Sequence, residues 1–86
     1  MDFEQLKSLI TATINDAEVF ITDLTGTKDH LGITIVSDEF KDISLIKQHR
    51  IVMDILKQKL SEDLHAVQLK TLTFEAARTA GLIKEG

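Results

Sequence analysis

The chain contains no cysteine, proline, tryptophan or tyrosine, and only four of its 86 residues are glycine. Each absence removes a class of explanation. Without cysteine there is no disulfide framework, no thiolate metal site, no cysteine nucleophile and no CxxC redox pair. A metal held by this chain would take histidine or carboxylate ligands, or ligands lent by a partner. The scattered glycines form neither a P-loop nor a G-x-G-x-x-G turn, and no G-x-S-x-G is present. No apolar run approaches the ~20 residues of a membrane-spanning helix. The acidic start, Met1-Asp2-Phe3-Glu4, lacks the basic region of a secretory signal. A cytoplasmic protein, or the processed form of an organellar one, is the expectation, with no membrane partner. A net charge of -4 opposes global attraction to nucleic acid but leaves room for a local basic face.

What is present describes an ordinary globular domain. The apolar fraction is 43% and the charged fraction 28%, values of a folding rather than a disordered chain. Residues 1–86 are expected to form a single domain, which at this size buries only about 60–65% of its unfolded surface. That leaves little room for a deep substrate pocket. Adjacent carboxylates, Asp38-Glu39 and Glu62-Asp63, fall in predicted turns, where solvated loop charge and helix-end chemistry account for them. No catalytic constellation emerges, and the chain is not expected to be an enzyme.

Periodicity divides the chain into seven elements. Phe3, Leu6, Leu9, Ile10 and Ile14 recur at helical spacing and predict an amphipathic helix over 3–15, with Asp2 as cap and Gln5 completing a capping box. Residues 17–23 alternate (Ala17, Val19 and Ile21 against Glu18, Phe20 and Thr22) and read as a half-buried strand. Leu24 to His30 reads as a hairpin loop, and Leu31, Ile33 and Ile35 as the core face of an antiparallel second strand. Ser37 to Asp42 suggests a polar connection around Phe40 with one short helical turn. A long helix follows to about Leu60, capped by Ser44 or Asp42, with Leu45, His49, Val52, Met53, Leu56 and Leu60 on one face. Residues 64–72 predict a third strand, with His65, Val67, Leu69 and Thr71 on one side. Thr73 caps a short final helix, ended by Gly81. The fold class is therefore α+β. A three-stranded mixed sheet carries helices on one face, and the third strand runs parallel to a hairpin strand through the helical crossover.

Three histidines are the remaining chemistry. His49, on the apolar face of the long helix, reads best as a structural residue bonded to a backbone carbonyl or an Asp. His30 closes the hairpin loop and His65 opens the third strand. Taken singly, each is accounted for by loop surface or rim packing. If the second and third strands are parallel neighbours, the two imidazoles could share one end of the sheet and form half of a metal site. The other half would come from elsewhere. Lys41, Lys47, Arg50, Lys57, Lys59 and Lys70 give a second reading, a phosphate-contacting stripe. Its simpler alternative is a solvated helix face with ion pairs such as Asp54 with Lys57 and Arg50 with Asp54.

The α-β-β-α-α-β order is that of a type II KH-like fold, although the segment in place of its G-x-x-G clamp reads Phe40-Lys41-Asp42-Ile43. Three ordered motifs carry a closer likeness: Ile35-Val36-Ser37-Asp38-Glu39-Phe40, then Gln48-His49-Arg50-Ile51-Val52, then His65-Ala66-Val67-Gln68-Leu69-Lys70-Thr71-Leu72-Thr73. Over about residues 3–75 the chain resembles the BolA-like family, with Phe74-Glu75-Ala76-Ala77 where that family often has a Trp.

The resemblance implies a partner. BolA-like proteins pair with monothiol glutaredoxins and can share a bridging 2Fe-2S cluster, the glutaredoxin supplying its Cys and a bound glutathione thiolate. By likeness, the ligands on this side would be His65 and His30, in Asp29-His30-Leu31, while His49 in the helix motif is outside the pair. No cluster is expected on the chain alone, which would be a monomer or weak homodimer. The implied role is cluster trafficking or iron sensing. The alternative implied by the family is a DNA-binding regulator of stress response or cell shape, with Lys41, Lys47 and Arg50 on phosphates; these three and His49 are the expected partner or nucleic-acid contacts.

Overall fold

The computed structural model describes residues 3–24, 26, 31–60 (58–60 through their backbone) and 67–83. Asp2, the Leu60 side chain, Glu62-Asp63 and residues 64–66 of the expected third strand lie outside the described residues.

Helix α1, Phe3–Thr13, carries the predicted stripe: Leu6 and Ile10 are buried, as is Ile14 just beyond it, with Phe3 and Leu9 packed against the same cluster. It stops two residues short of the expected end. The Ile14 N–H still donates to Ile10 O at 2.8 Å, and Ala17 N–H then donates to Ile14 O at 3.1 Å, which turns the chain into the sheet. Strand β1, Glu18–Asp23, and strand β2, Leu31–Val36, form the antiparallel hairpin, from Glu18 opposite Val36 to Asp23 opposite Leu31. Ala17 precedes β1 rather than joining it.

Helix α2, Leu45–Leu60, is the crossover that returns the chain to strand β3, Val67–Leu72. Strand β3 pairs parallel with β2, which makes β2 the central strand of a three-stranded mixed sheet. The strand buried between two neighbours is also the most aliphatic: Leu31, Ile33 and Ile35 sit in the core. They meet Leu6, Ile10 and Ile14 from one side and Val52, Ile55 and Leu56 of α2. Both helices thus cover one face of the sheet, as each needs in order to bury its single apolar stripe.

Ser44 caps α2: the Lys47 N–H donates to its Oγ at 3.3 Å. The buried face of α2 is Val52, Ile55 and Leu56, with Met53 half-buried; Ile55 replaces Leu45, which is 59% exposed. Leu45 has nearly the helical bearing of Leu56 but stands three turns earlier. Its exposure therefore reflects position along the helix, because the core does not extend to the first turn of α2.

The connection from β2 to α2 contains the expected short helical turn, a 3-10 helix over Asp38–Phe40 with Phe40 buried. Asp42 follows with φ 63°, a left-handed conformation that Asp tolerates better than most residues. After β3, Thr73 caps helix α3, Phe74–Thr79, by accepting from Ala76 N–H at 3.2 Å. Gly81, at φ +77°, ends it with the pair of bonds that a left-handed terminus allows: Gly81 N–H to Arg78 O and Leu82 N–H to Ala77 O. No described helix is long and apolar enough to cross a membrane.

Candidate functional site

The parallel pairing of β2 with β3 sets Leu31 beside Val67, so the two strands begin at the same end of the sheet. The histidines expected to act as ligands lead into these strands in sequence: His30 adjoins Leu31, and His65 stands two residues before Val67. Both lie outside the described residues. The platform that follows them is described. Leu31 is buried and Val67 half-buried against the same cluster. On the opposite face Leu24 lies over Gly32, whose missing Cβ would stand 3.4 Å from a Leu24 methyl. The start of the hairpin loop is turned by Asp23, whose Oδ1 accepts from Gly26 N–H at 3.0 Å, with Gly26 at φ +78°. Among the described residues no group of three or more His, Asp or Glu side chains is arranged to hold a metal.

His49 is half-buried on α2. The bond to a carbonyl or an Asp that its position suggested is not formed with any described residue. The anchoring is done by its neighbour. Gln48 Nε2 donates to Ile43 O at 2.7 Å and to Phe40 O at 3.2 Å, and Gln48 Oε1 accepts from Thr71 Oγ1 at 2.7 Å. One side chain therefore ties the 40–43 turn, the first turns of α2 and the end of β3. The sequence carried a signal for this. Thr71 falls on the inward face of a strand whose other inward residues are Val67 and Leu69, and a buried hydroxyl requires a partner.

A second latch joins the loop after α1 to both strand ends. Ser37, fully buried, donates its hydroxyl to Asp16 Oδ1, while its Oγ accepts from Glu39 N–H at 3.0 Å. Asp16 Oδ2 accepts from Asp38 N–H at 3.0 Å, Ser37 N–H donates to Leu72 O at 2.9 Å, and Asp38 Oδ1 accepts from Phe74 N–H at 3.2 Å. Asp38 thus performs helix-end chemistry, as its turn position suggested.

The basic residues separate into two places. Lys47 and Arg50 line one groove with Ile43, Ile51 and Asp54. Lys41 lines another, with Asp38, Thr73, Glu75 and Arg78. The two grooves share no lining residue. Of the two expected ion pairs, Lys57 meets Asp54 at 3.8 Å; among the described residues Arg50 is in none. The Lys57–Asp54 pair is largely exposed on both sides, the kind that contributes little to stability.

The chain and its topology are similar to known proteins. A family profile described as BolA-like protein matches residues 8–76. The uncharacterized protein RP812 of Rickettsia prowazekii is 33% identical over 70 residues, 81% of this chain and 91% of that one. The NMR structure of the same protein, a BolA-like hypothetical protein, superposes with a TM-score of 0.68, covering 86% of this chain and 96% of its own. BolA1 from Arabidopsis thaliana superposes with a TM-score of 0.73 at 25% identity, over 84% of this chain and 90% of that chain. The DNA-binding transcriptional regulator BolA of Escherichia coli is 32% identical over 50 residues, 58% of this chain and 48% of that protein. With the profile spanning both latches and all three strands, the chain belongs to the BolA-like family.

Proposed function

We propose that this chain is a non-enzymatic adaptor that binds a monothiol glutaredoxin and holds one side of a shared 2Fe-2S cluster through His30 and His65, in cluster trafficking or iron sensing. The observation that supports this reading is the register of β2 and β3. With Leu31 beside Val67, chain reach alone keeps the Cα atoms of His30 and His65 within about 16 Å of each other. The donor set fits such a group in kind. A chain without cysteine offers imidazole, so sulfur has to come from the glutaredoxin and its glutathione. When bound, the cluster would supply one-electron redox chemistry, at a potential raised by imidazole in place of thiolate. On this reading the chain's part is to contribute two imidazoles, from residues that precede β2 and β3 in sequence.

The test is co-expression with a monothiol glutaredoxin, followed by visible absorption and circular dichroism of the purified complex. His65→Ala is expected to change the cluster spectrum strongly and His30→Ala measurably, while His49→Ala leaves it as it is. An unchanged spectrum in His65→Ala would remove the ligand assignment.

A second reading, DNA binding, has support from the name of the Escherichia coli relative and from the pairing of Lys47 with Arg50 in one groove. The net charge of -4 weighs against it. Phosphate-driven binding would weaken steeply with salt. Anisotropy that stays weak at low salt would dismiss it.

A further inference from the structure

Six large apolar side chains stand out as exposed among the described residues, and half of them are on the first two turns of α2: Leu45 at 59%, Ile46 at 74% and Ile51 at 37%. Their bearings around the helix axis differ by about 100° or more, so they do not form one face. They are not isolated from charge. Ile51 lines a groove with Lys47, Arg50 and Asp54, which recur every three or four residues along one side of α2, and with Ile43, which precedes the helix. Lys47 and Arg50 are exposed, and among the described residues neither is in an ion pair; Asp54 is paired with Lys57. The result is an apolar floor with a net positive rim, on a protein whose overall charge is -4.

We propose that this groove is a docking site for an acidic peptide segment of another protein, one that presents an aliphatic side chain between carboxylates. The aliphatic group would lie on Ile43 and Ile51, and the carboxylates would meet Lys47 and Arg50. Charge complementarity selects the acidic partner, because the groove's free cations outnumber its one engaged carboxylate. The aliphatic lining selects peptide over nucleic acid. A duplex backbone would satisfy Lys47 and Arg50 but leave the isoleucines uncovered, and no aromatic side chain lines the groove to stack on a base. The site is held rigid from beneath: Gln48, on the inward side of the same turns, is bonded to the 40–43 turn and to Thr71. Thr71 is near the end of β3, whereas His65 precedes its start. The groove shares no described lining residue with the proposed ligand pair, and the inference stands whether or not a cluster is bound.

The probe is a phage-displayed library of random linear peptides. It is selected on the full chain and counter-selected on a Lys47→Glu/Arg50→Glu/Ile51→Ser variant whose fold is verified by circular dichroism. Peptides enriched on the parent chain are expected to carry an aliphatic residue flanked by Asp or Glu. The best of them, added to isotope-labelled protein, should shift backbone amides within residues 43–54. Lys47→Glu alone, an exposed substitution, should weaken that peptide about tenfold. The proposal is overturned by any of four results: no enrichment; peptides without acidic residues; equal binding to Lys47→Glu; or amide shifts outside residues 43–54. It is also overturned if mixed-sequence duplex DNA, anionic vesicles or self-association at high concentration perturbs the same amides at lower concentration than the peptide.

Discussion

Replacing Gln48 by Ala tests the latch at the top of α2. The side chain makes three hydrogen bonds, to Ile43 O, Phe40 O and Thr71 Oγ1. Thr71 is only 5% exposed, so its hydroxyl would be left without this acceptor where water has poor access. Phe40 O keeps the Ile43 N–H at 3.2 Å, so its loss is partial. A net value near 1 kcal/mol per bond, with an added penalty for an orphaned buried hydroxyl, gives about 2–3 kcal/mol. Domains of this size carry roughly 4–13 kcal/mol in total, so the loss is substantial. It should lower the thermal midpoint by about 10–20 °C. The assay is urea denaturation followed by far-UV circular dichroism, since the chain has no Trp or Tyr to report by fluorescence. Thr71→Val removes the hydroxyl that Gln48→Ala would strand. The double variant should therefore be little worse than Gln48→Ala alone, with a coupling of about 1 kcal/mol or more. A cost for Gln48→Ala below about 0.5 kcal/mol, typical of a surface substitution, would refute the reasoning. So would strict additivity with Thr71→Val.

Ser37→Ala should cost about 1–2 kcal/mol by urea titration, because it strips both the donor to Asp16 and the acceptor for Glu39 N–H, and the Asp38 and Glu39 amides should exchange faster. Gly81→Ala meets no atom within 4 Å, so its expected destabilisation of about 1 kcal/mol is purely the strain of a Cβ at φ +77°; Gly81→Asn should cost less. Phe40→Ala, at a residue 1% exposed, should cost about 3–5 kcal/mol, visible as a broadened or absent cooperative thermal transition. Ile46→Ser should leave stability within about 0.5 kcal/mol, as expected of an exposed position.

The elements that pattern alone exposed were those whose buried face is contiguous. The Leu6, Ile10 and Ile14 stripe, the Leu31, Ile33 and Ile35 alternation and the Thr73 and Gly81 punctuation each encode a local preference that the packing leaves intact. Leu45 misled because periodicity reports bearing around a helix axis and carries no information on how far the core extends along it. Arg50 and Asp54 misled for a related reason: i,i+4 spacing permits an ion pair, but Asp54 meets Lys57 instead. His49 stood on the correct side of α2, yet the hydrogen bonds expected of it belong to Gln48 one residue earlier, a difference of 100° that spacing cannot weigh.

The motifs that carry the family likeness turn out to do different jobs, and the difference bears on function. Val36 and Phe40 are buried; Ser37 and Asp38 fasten the loop after α1 to the ends of β2 and β3; Gln48 and Thr71 fasten α2 to the sheet. Every one of these has a structural partner that accounts for its identity. Such residues preserve the parallel register of β2 and β3, and any activity that depends on this register inherits their requirement without contact at the site. A motif histidine is different in kind. Neither core packing nor a hydrogen bond to a described residue explains His49, and His30 and His65 precede β2 and β3 in sequence. On the proposed reading, the functional burden falls on the histidines rather than on these anchoring residues. On the same reading, loss of Gln48 or Ser37 should reduce stability first and cluster binding only through it, whereas loss of His65 should change the visible spectrum of the complex with the glutaredoxin directly.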